Sequence, residues 1–302
     1  MQTITRCVLV GTALLVALLA AQPVQAALLY YESFSESSYP VEYDETTPDL
    51  GGIWEGGPTP PDAGGTFNPN DEIVSGSLDS TGTLALPPSG GKLHVLGRDR
   101  ARGLSTMDSS TGADGTTTYA SLLIDLGDPG AGAEAFTGVE IWNGVLAPNV
   151  ATNRSVKIGF DGGVYAVRTN TGTGDVALDA GLNLVVLKFN YITGEDTVDV
   201  FVNPTWDDLV SNTFRGQLTD GNFAFDRFGL SNFNQVVGGP NPTEGTTGFA
   251  DEIRVGTTLA DVVLAPAISA VPEPSTLALL LVAGFVAMLS GWRGCVRTRD
   301  NG

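Results

Sequence analysis

Cysteine is almost missing from this 302-residue chain: there are two, Cys7 and Cys295, one in each terminal apolar region. The stretch between them has no disulfide to lean on. It must hold itself by core burial, and about 240 residues suffice for one substantial domain. Histidine is scarcer still. His94 is the only one, so a Ser-His-Asp triad or a His-rich metal site would depend on it alone. In KLHVLG it is out of parity with Leu93 and Val95, which predicts the outer face of a sheet. No G-x-S-x-G occurs, and GLSTM at Gly103–Met107 does not match it, so triad hydrolysis is set aside. Cations are the third scarcity, 15 Lys and Arg against 34 Asp and Glu, for a net charge of −19. Between Ala27 and Val271 there remain 11 cations and 32 acids. Such a field repels phosphate backbones and anionic lipid, which argues against nucleic-acid binding. The last absence is a long helical period with caps, of which no window from Ala27 to Ala265 shows one.

What is present is alternation. In NLVVLKFNYITGEDTVDVFVNP, Val185, Leu187, Phe189 and Tyr191 share one face, and Val198, Val200 and Val202 share another. Thr193–Asp196 turns the chain between them, and Pro204 ends the second strand; this predicts a half-buried antiparallel hairpin. SVKIGFDGGVYAVRT predicts a second hairpin, turning at Asp161-Gly162-Gly163, where glycines supply positive φ. Further strands are predicted at Lys92–Leu96, Tyr119–Leu126, Gly138–Trp142, Asn222–Phe228 and Phe249–Val255. With 39 Gly and 17 Pro to turn the chain, the predicted fold is all-β, two antiparallel sheets packed face to face. Pro48–Asn70, dense in Gly and Pro, reads as a long surface loop around Trp54. GAGAEA at Gly130–Ala135 fits a dinucleotide-loop pattern but has no helix after it, so a surface turn is predicted.

The two ends differ from the body. Residues 1–26 carry one charge, Arg6, an apolar core from Val8 to Ala21, and small residues at Val24 and Ala26. That is the pattern of a secretory signal, with cleavage predicted after Ala26. The C-terminus has VPEPST at Val271–Thr276, an uncharged apolar run to Trp292, then Arg293, Arg297 and Arg299. Thr276–Trp292 would span about 25 Å as a helix, enough for a thin hydrocarbon core. Pro272 and Pro274 fix its start. The arginines belong on the cytoplasmic side, leaving the acidic body outside.

These three parts resemble a PEP-CTERM sorting tail, with Val271, Pro272, Glu273 and Pro274 as the motif. The resemblance implies an exported envelope protein, held in the inner membrane and processed by an exosortase-type transpeptidase. It also implies a host that makes extracellular polysaccharide. The body resembles the laminin-G/concanavalin-A-like jelly rolls, through YESF at Tyr31–Phe34, SGGKLHV at Ser89–Val95, TVDVFVNP at Thr197–Pro204 and FADEIRVGTTLADV at Phe249–Val262. The domains expected are a signal peptide (1–26), a β-sandwich (27–265), a linker with the sorting motif (266–275), a transmembrane helix (276–292) and a basic cytoplasmic tail (293–302).

Candidate chemistry is sparse. Concanavalin-like hydrolases present paired acids on an apolar strand. The nearest runs here, Glu42–Glu45 and Glu195–Asp199, lie in a Pro-bounded polar stretch and on a hairpin turn. An enzyme is therefore not expected, with glycoside hydrolase or polysaccharide lyase kept as the alternative. Asp251 is placed on the core side of its strand, with Phe249, Ile253 and Val255. A charge there must be paired, as a structural carboxylate accepting backbone N–H bonds from a loop or as a Ca²⁺ ligand. No other cofactor is expected. Trp54, Trp142 and Trp206 are the candidate sugar platforms. The expected function is a non-catalytic, exported envelope or matrix protein, partnered by the membrane, signal peptidase, an exosortase-type enzyme and extracellular polysaccharide.

Overall fold

The computed structural model describes residues 27–34, 41–42, 54–56, 72–79, 84, 86, 90–95, 102–107, 111–127, 137–143, 154–161, 164–169, 174–219, 223–232 and 248–264. The segment predicted as a signal (1–26), everything from 265 onward, the stretch at 130–135 predicted as a turn, and most of Pro48–Asn70 lie outside these. Among the described residues no helix is long and apolar enough to cross a membrane.

All strand pairs are antiparallel, and they build two sheets. The nine-stranded sheet has the order β14 (Gly216–Thr219), β13 (Thr197–Val202), β12 (Gly181–Asn190), β7 (Thr117–Leu126), β16 (Gly248–Gly256), β5 (Gly91–Val95), β4 (Glu72–Ser75) and β2 (Val41–Glu42), with β1 (Leu28–Glu32) also on β16. The seven-stranded sheet has the order β11 (Val176–Ala177), β10 (Val164–Thr169), β9 (Arg154–Asp161), β8 (Thr137–Trp142), β15 (Arg227–Asn232), β6 (Arg102–Thr106) and β3 (Trp54–Gly56).

Both predicted hairpins form. Val185, Leu187 and Phe189 of β12 stand opposite Val202, Val200 and Val198 of β13. Val167 of β10 stands opposite Ile158 of β9. Their apolar faces meet between the sheets in one core that also takes Ile124, Val139, Ile141, Ile253 and Val255. Tyr30 stacks on Phe228 with centroids 5.1 Å apart, and so links β1 of one sheet to β15 of the other. Phe225 lies 4.8 Å from Phe189 and 5.8 Å from Phe228. Burying each such ring is worth about 1.5–3 kcal/mol.

Three predictions need correction. β12 is not half-buried: Leu184 and Val186, on its other face, pack with Leu78, Leu123, Phe201, Leu209, Val262 and Val263 in a second cluster. Its near-continuous apolar run is what burial on both faces demands. The strand predicted at Asn222–Phe228 begins at Arg227, and Phe223 and Phe225 are core anchors ahead of it. Trp54 lies on β3, paired with Ser105 of β6, and not in a loop.

Two short helices close over the second cluster. In α1 (Trp206–Ser211), Thr205 and Asp208 form a reciprocal capping box and Asn212 ends the helix at φ 57°. Leu209 is its buried anchor. In α2 (Leu259–Val262) the anchor is Val262. Both fall below the length at which a helical period is readable.

Candidate functional site

Among the described residues, two of the places that hold buried polar groups bear on function. The first is the seam where β16 is shared by two neighbours: Gly248–Ala250 pair with β5, while Ile253–Gly256 pair with β1. Between them lies a bulge. Asp251 stands opposite Leu123 but Arg254 opposite Ser121, so one residue is extra. Glu252 takes the strain at φ 52°. The bulge reverses the parity that the sequence implied. Ala250, Ile253 and Val255 face the main core, whereas Phe249 packs on the second cluster. Asp251, opposite Leu123 of that cluster, is fully buried on the same outer side.

The Asp251 carboxylate accepts N–H bonds from Leu78 and Glu252, both at 2.8 Å. Burial pushes its pKa up to about 8, assisted by the Glu252 charge and opposed by the Leu78 N–H. This is the structural carboxylate, one of the two roles that the sequence left open. A cation here would meet N–H dipoles pointing the wrong way, so the residues do not fit Ca²⁺. Among the described residues no three His, Cys, Asp or Glu side chains gather as a metal site. Glu252, also fully buried, is held by Arg254 at 2.7 Å and by the Tyr31 hydroxyl at 3.2 Å. The Arg254 guanidinium sits 4.5 Å from the centre of the Tyr31 ring. Burial, with the adjacent Glu252 carboxylate, pushes the Tyr31 pKa up to about 12.

The second place is the outer face of the seven-stranded sheet. Val139 and Ile141 of β8, Val156 and Ile158 of β9, and Val167 of β10 point into the core. The alternate residues therefore point the other way. Glu140 of β8 stands opposite Lys157 of β9, and Lys157 stands opposite Arg168 of β10. The three make one row across three adjacent strands. On the other side of Glu140 the row continues with Gly229 of β15, then Leu104 of β6. Glu140 is fully buried. Arg168 forms an ion pair with Asp175 at the rim. Next to the row, Gly138 and Gly159 lie opposite each other. A Cβ on Gly138 would come within 2.1 Å of the Ile158 carbonyl oxygen, so only glycine lets β8 and β9 close here.

The sequence reading missed Glu140 because it searched for paired acids. The signal was present in Val139-Glu140-Ile141, one acid at the outward position of an apolar alternation. No second described acid lies on this row at hydrolase spacing. In the register, Glu55 of β3 follows Leu104, three strands from Glu140.

The tryptophans fare differently. Trp142 is on this face, opposite Arg227 of β15, but only 1% exposed. Its ring is packed and offers no open platform. Trp206 opens α1 and packs, partly buried, on the second cluster at the back of the other sheet. The run Glu195–Asp199 is structural. Asp196 accepts the Ile192 and Phe223 N–H groups, each at 3.0 Å. Asp199 faces away from the core valines and accepts from Gln217 at 2.6 Å and Asn190 at 3.0 Å. Of Glu42–Glu45, Glu42 lies on β2 opposite Glu72, and Asp44 and Glu45 lie outside the described residues.

Two antiparallel sheets face to face, with a polar row on the outside of one, define an antiparallel β-sandwich of the jelly-roll, concanavalin A-like kind. No protein-family model matches the sequence, and neither does any curated relative. Solved structures do. An endo-beta-1,4-glucuronan lyase from the fungus Trichoderma reesei is 11% identical over 78% of this chain and 98% of its own, with a TM-score of 0.46. An endo-1,3-beta-glucanase from Streptomyces sioyaensis is 12% identical over 78% and 98%, with a TM-score of 0.38. Peanut lectin is 11% identical over 62% and 98%, with a TM-score of 0.35. The expectation that the chain is not an enzyme is corrected by this: a lyase and a glucanase share the scaffold with a lectin, so the fold gives no ground for excluding catalysis.

Proposed function

We propose that this chain is an exported β-sandwich that engages polysaccharide on the outer face of its seven-stranded sheet. The observation that carries the reading is the row Arg168–Lys157–Glu140, charged residues in register across three adjacent strands. A row at right angles to the strands can meet an extended polymer at several points at once. Groups mounted on strands are held more rigidly than groups on loops, which lowers the ordering cost of binding. Affinity electrophoresis of the full-length protein in mild detergent, through gels containing acidic and neutral polysaccharides, tests it. Retardation by at least one polymer, relieved by Lys157→Ala, is expected. Free migration in all of them would overturn the proposal.

A second reading, turnover of the bound polymer, is favoured by Glu140. A buried carboxylate beside a lysine on the ligand side of a sheet is a group that general acid–base chemistry can use. Incubation with the same polymers distinguishes the outcomes. New reducing ends, or the ultraviolet absorbance of unsaturated ends, would appear in an enzyme and be abolished by Glu140→Gln.

We also propose that the chain reaches the cell envelope by the route its ends resemble. Signal peptidase cuts after Ala26, the apolar run at 276–292 lodges in the inner membrane, and an exosortase-type enzyme acts near Val271–Pro274. A cut after Ala26 removes no strand residue, which supports this reading. Ala27 already belongs to the sandwich, its carbonyl accepting the Thr257 N–H at 3.1 Å and its N–H donating to the Thr257 hydroxyl at 3.2 Å. Intact mass of the protein recovered from fractionated host cells tests it: mass missing from both ends is expected, and a full-length cytosolic chain would refute it.

A further inference from the structure

The charge on the sandwich is not spread evenly. Cations are outnumbered by more than two to one in the chain, 15 against 34. Yet the strands of the seven-stranded sheet carry five of them, Arg102, Arg154, Lys157, Arg168 and Arg227, against three acids, Glu55, Glu140 and Asp161. The strands of the nine-stranded sheet carry three cations, Lys92, Lys188 and Arg254, against seven acids. One sheet thus reverses the sign of the molecule.

Position sharpens the contrast. Lys157 and Arg168 are directly opposite each other across β9 and β10. Both are on the outer face, since Val156, Ile158 and Val167 beside them are in the core. Like charges directly across a strand pair cost stability. Asp175 offsets part of that cost at the rim, where it is 41% exposed and pairs with Arg168. Arg227 stands on the same face, and Asp226 approaches it at 3.4 Å. In a body whose overall field drives anions away, such a row is a surface that an anionic chain can approach.

We infer that the polymer taken by this face is acidic, a polysaccharide bearing carboxylate groups. The inference rests on the reading of this face as a polysaccharide site and names its ligand class. The Arg168 guanidinium, which holds the Asp175 carboxylate at the rim, is a planar fork suited to carboxylates, and the Lys157 ammonium is a compact charge one strand away. Repeating carboxylates along an extended chain would meet the two cations in succession.

The test measures affinity of the full-length protein in mild detergent for polygalacturonate, for the same polymer after reduction of its carboxyls, and for dextran sulfate. Polygalacturonate is expected to bind about tenfold or more tighter than its reduced form, with affinity falling as salt rises. Lys157→Glu with Arg168→Glu should abolish the preference. Arg215→Glu, an exposed cation at the edge of the other sheet, should keep it. Should the double reversal fail to fold, Lys157→Gln with Arg168→Gln gives the same reading with less strain. Equal affinity for the acidic and reduced polymers, or a preference that survives the double variant, overturns the inference and leaves polysaccharide binding standing. Tighter binding of dextran sulfate overturns the assignment to carboxylate. Binding of no polymer at all overturns both.

Discussion

Asp251 and Leu78, 173 positions apart in the chain, are joined by a 2.8 Å hydrogen bond from the Leu78 N–H to the Asp251 carboxylate. Through it the chain around Leu78 is pinned over the outer side of β16, where Leu78 enters the second hydrophobic cluster. Removing the carboxylate leaves two buried N–H groups without their acceptor. Asp251→Ala should therefore cost about 2–3 kcal/mol in urea denaturation. An unchanged midpoint would mean that the bond is dispensable.

The same carboxylate makes stability depend on pH. Its pKa is raised in the folded state from 3.8 to about 8, so the folded protein holds a proton that the unfolded chain has released. For a raised pKa, that contribution is complete below pH of about 4 and is lost as pH climbs through about 8. The melting temperature should fall across this interval, and Asp251→Asn, which cannot titrate, should flatten the fall. A slope of the opposite sign, removed by the same substitution, would refute the assignment.

Glu252 gives a different kind of prediction. It is fully buried and its partner Arg254 is only 12% exposed by side chain. Taking away one member of a buried pair leaves a bare charge, whereas taking away both does not. Arg254→Ala should destabilise the fold by about 3 kcal/mol, and adding Glu252→Ala should recover a large part of the loss. Chemical denaturation of the two variants decides it; strictly additive losses would count against the pairing.

The seam also marks where sequence reasoning reached its limit. Alternation in Phe249–Val255 identified the strand, and the valines of TVDVFV were assigned to the right face. Parity arguments, however, assume an uninterrupted pleat. The extra residue at Asp251–Glu252 flips everything before it relative to everything after, and nothing in FADEIRV announces a bulge when the strained residue is Glu rather than Gly. The second cluster was hidden for a related reason. Leu184 and Val186 looked like part of an ordinary strand because the elements that cover them, α1 and α2, are too short to show a period. The outer-face row was hidden by topology. Glu140, Lys157 and Arg168 are unremarkable one by one, and only the register of β8, β9 and β10 brings them side by side. Asp251 as an acceptor of loop N–H groups was legible, because a buried carboxylate has few other fates.

Gly138 tests whether β8 and β9 tolerate any change beside the row. Its replacement by alanine would place a Cβ 2.1 Å from the Ile158 carbonyl oxygen, a backbone atom that has no rotamer by which to withdraw. The strands must separate locally, at a cost of about 1–3 kcal/mol. Because Glu140 and Lys157 are the neighbouring pair in that register, Gly138→Ala should weaken polysaccharide binding as well as lower the melting temperature. Loss of stability with binding unchanged would show that the ligand does not use this part of the sheet.

Glu140 separates binding from turnover. Glutamine has the same shape, keeps a hydrogen-bonding end and removes only the ability to carry charge and exchange a proton. If the face only binds, Glu140→Gln should leave affinity for a neutral polymer within about twofold. Affinity for an acidic one should rise, because the carboxyl opposite Lys157 has been replaced by a neutral amide. If the face also turns its ligand over, the same substitution should drop product formation by about 100-fold or more while the polymer still binds. Gel retardation and end-group assays on one preparation read both quantities. A variant that loses both affinity and its near-ultraviolet circular dichroism would show that Glu140 serves the fold, and would move the functional face elsewhere.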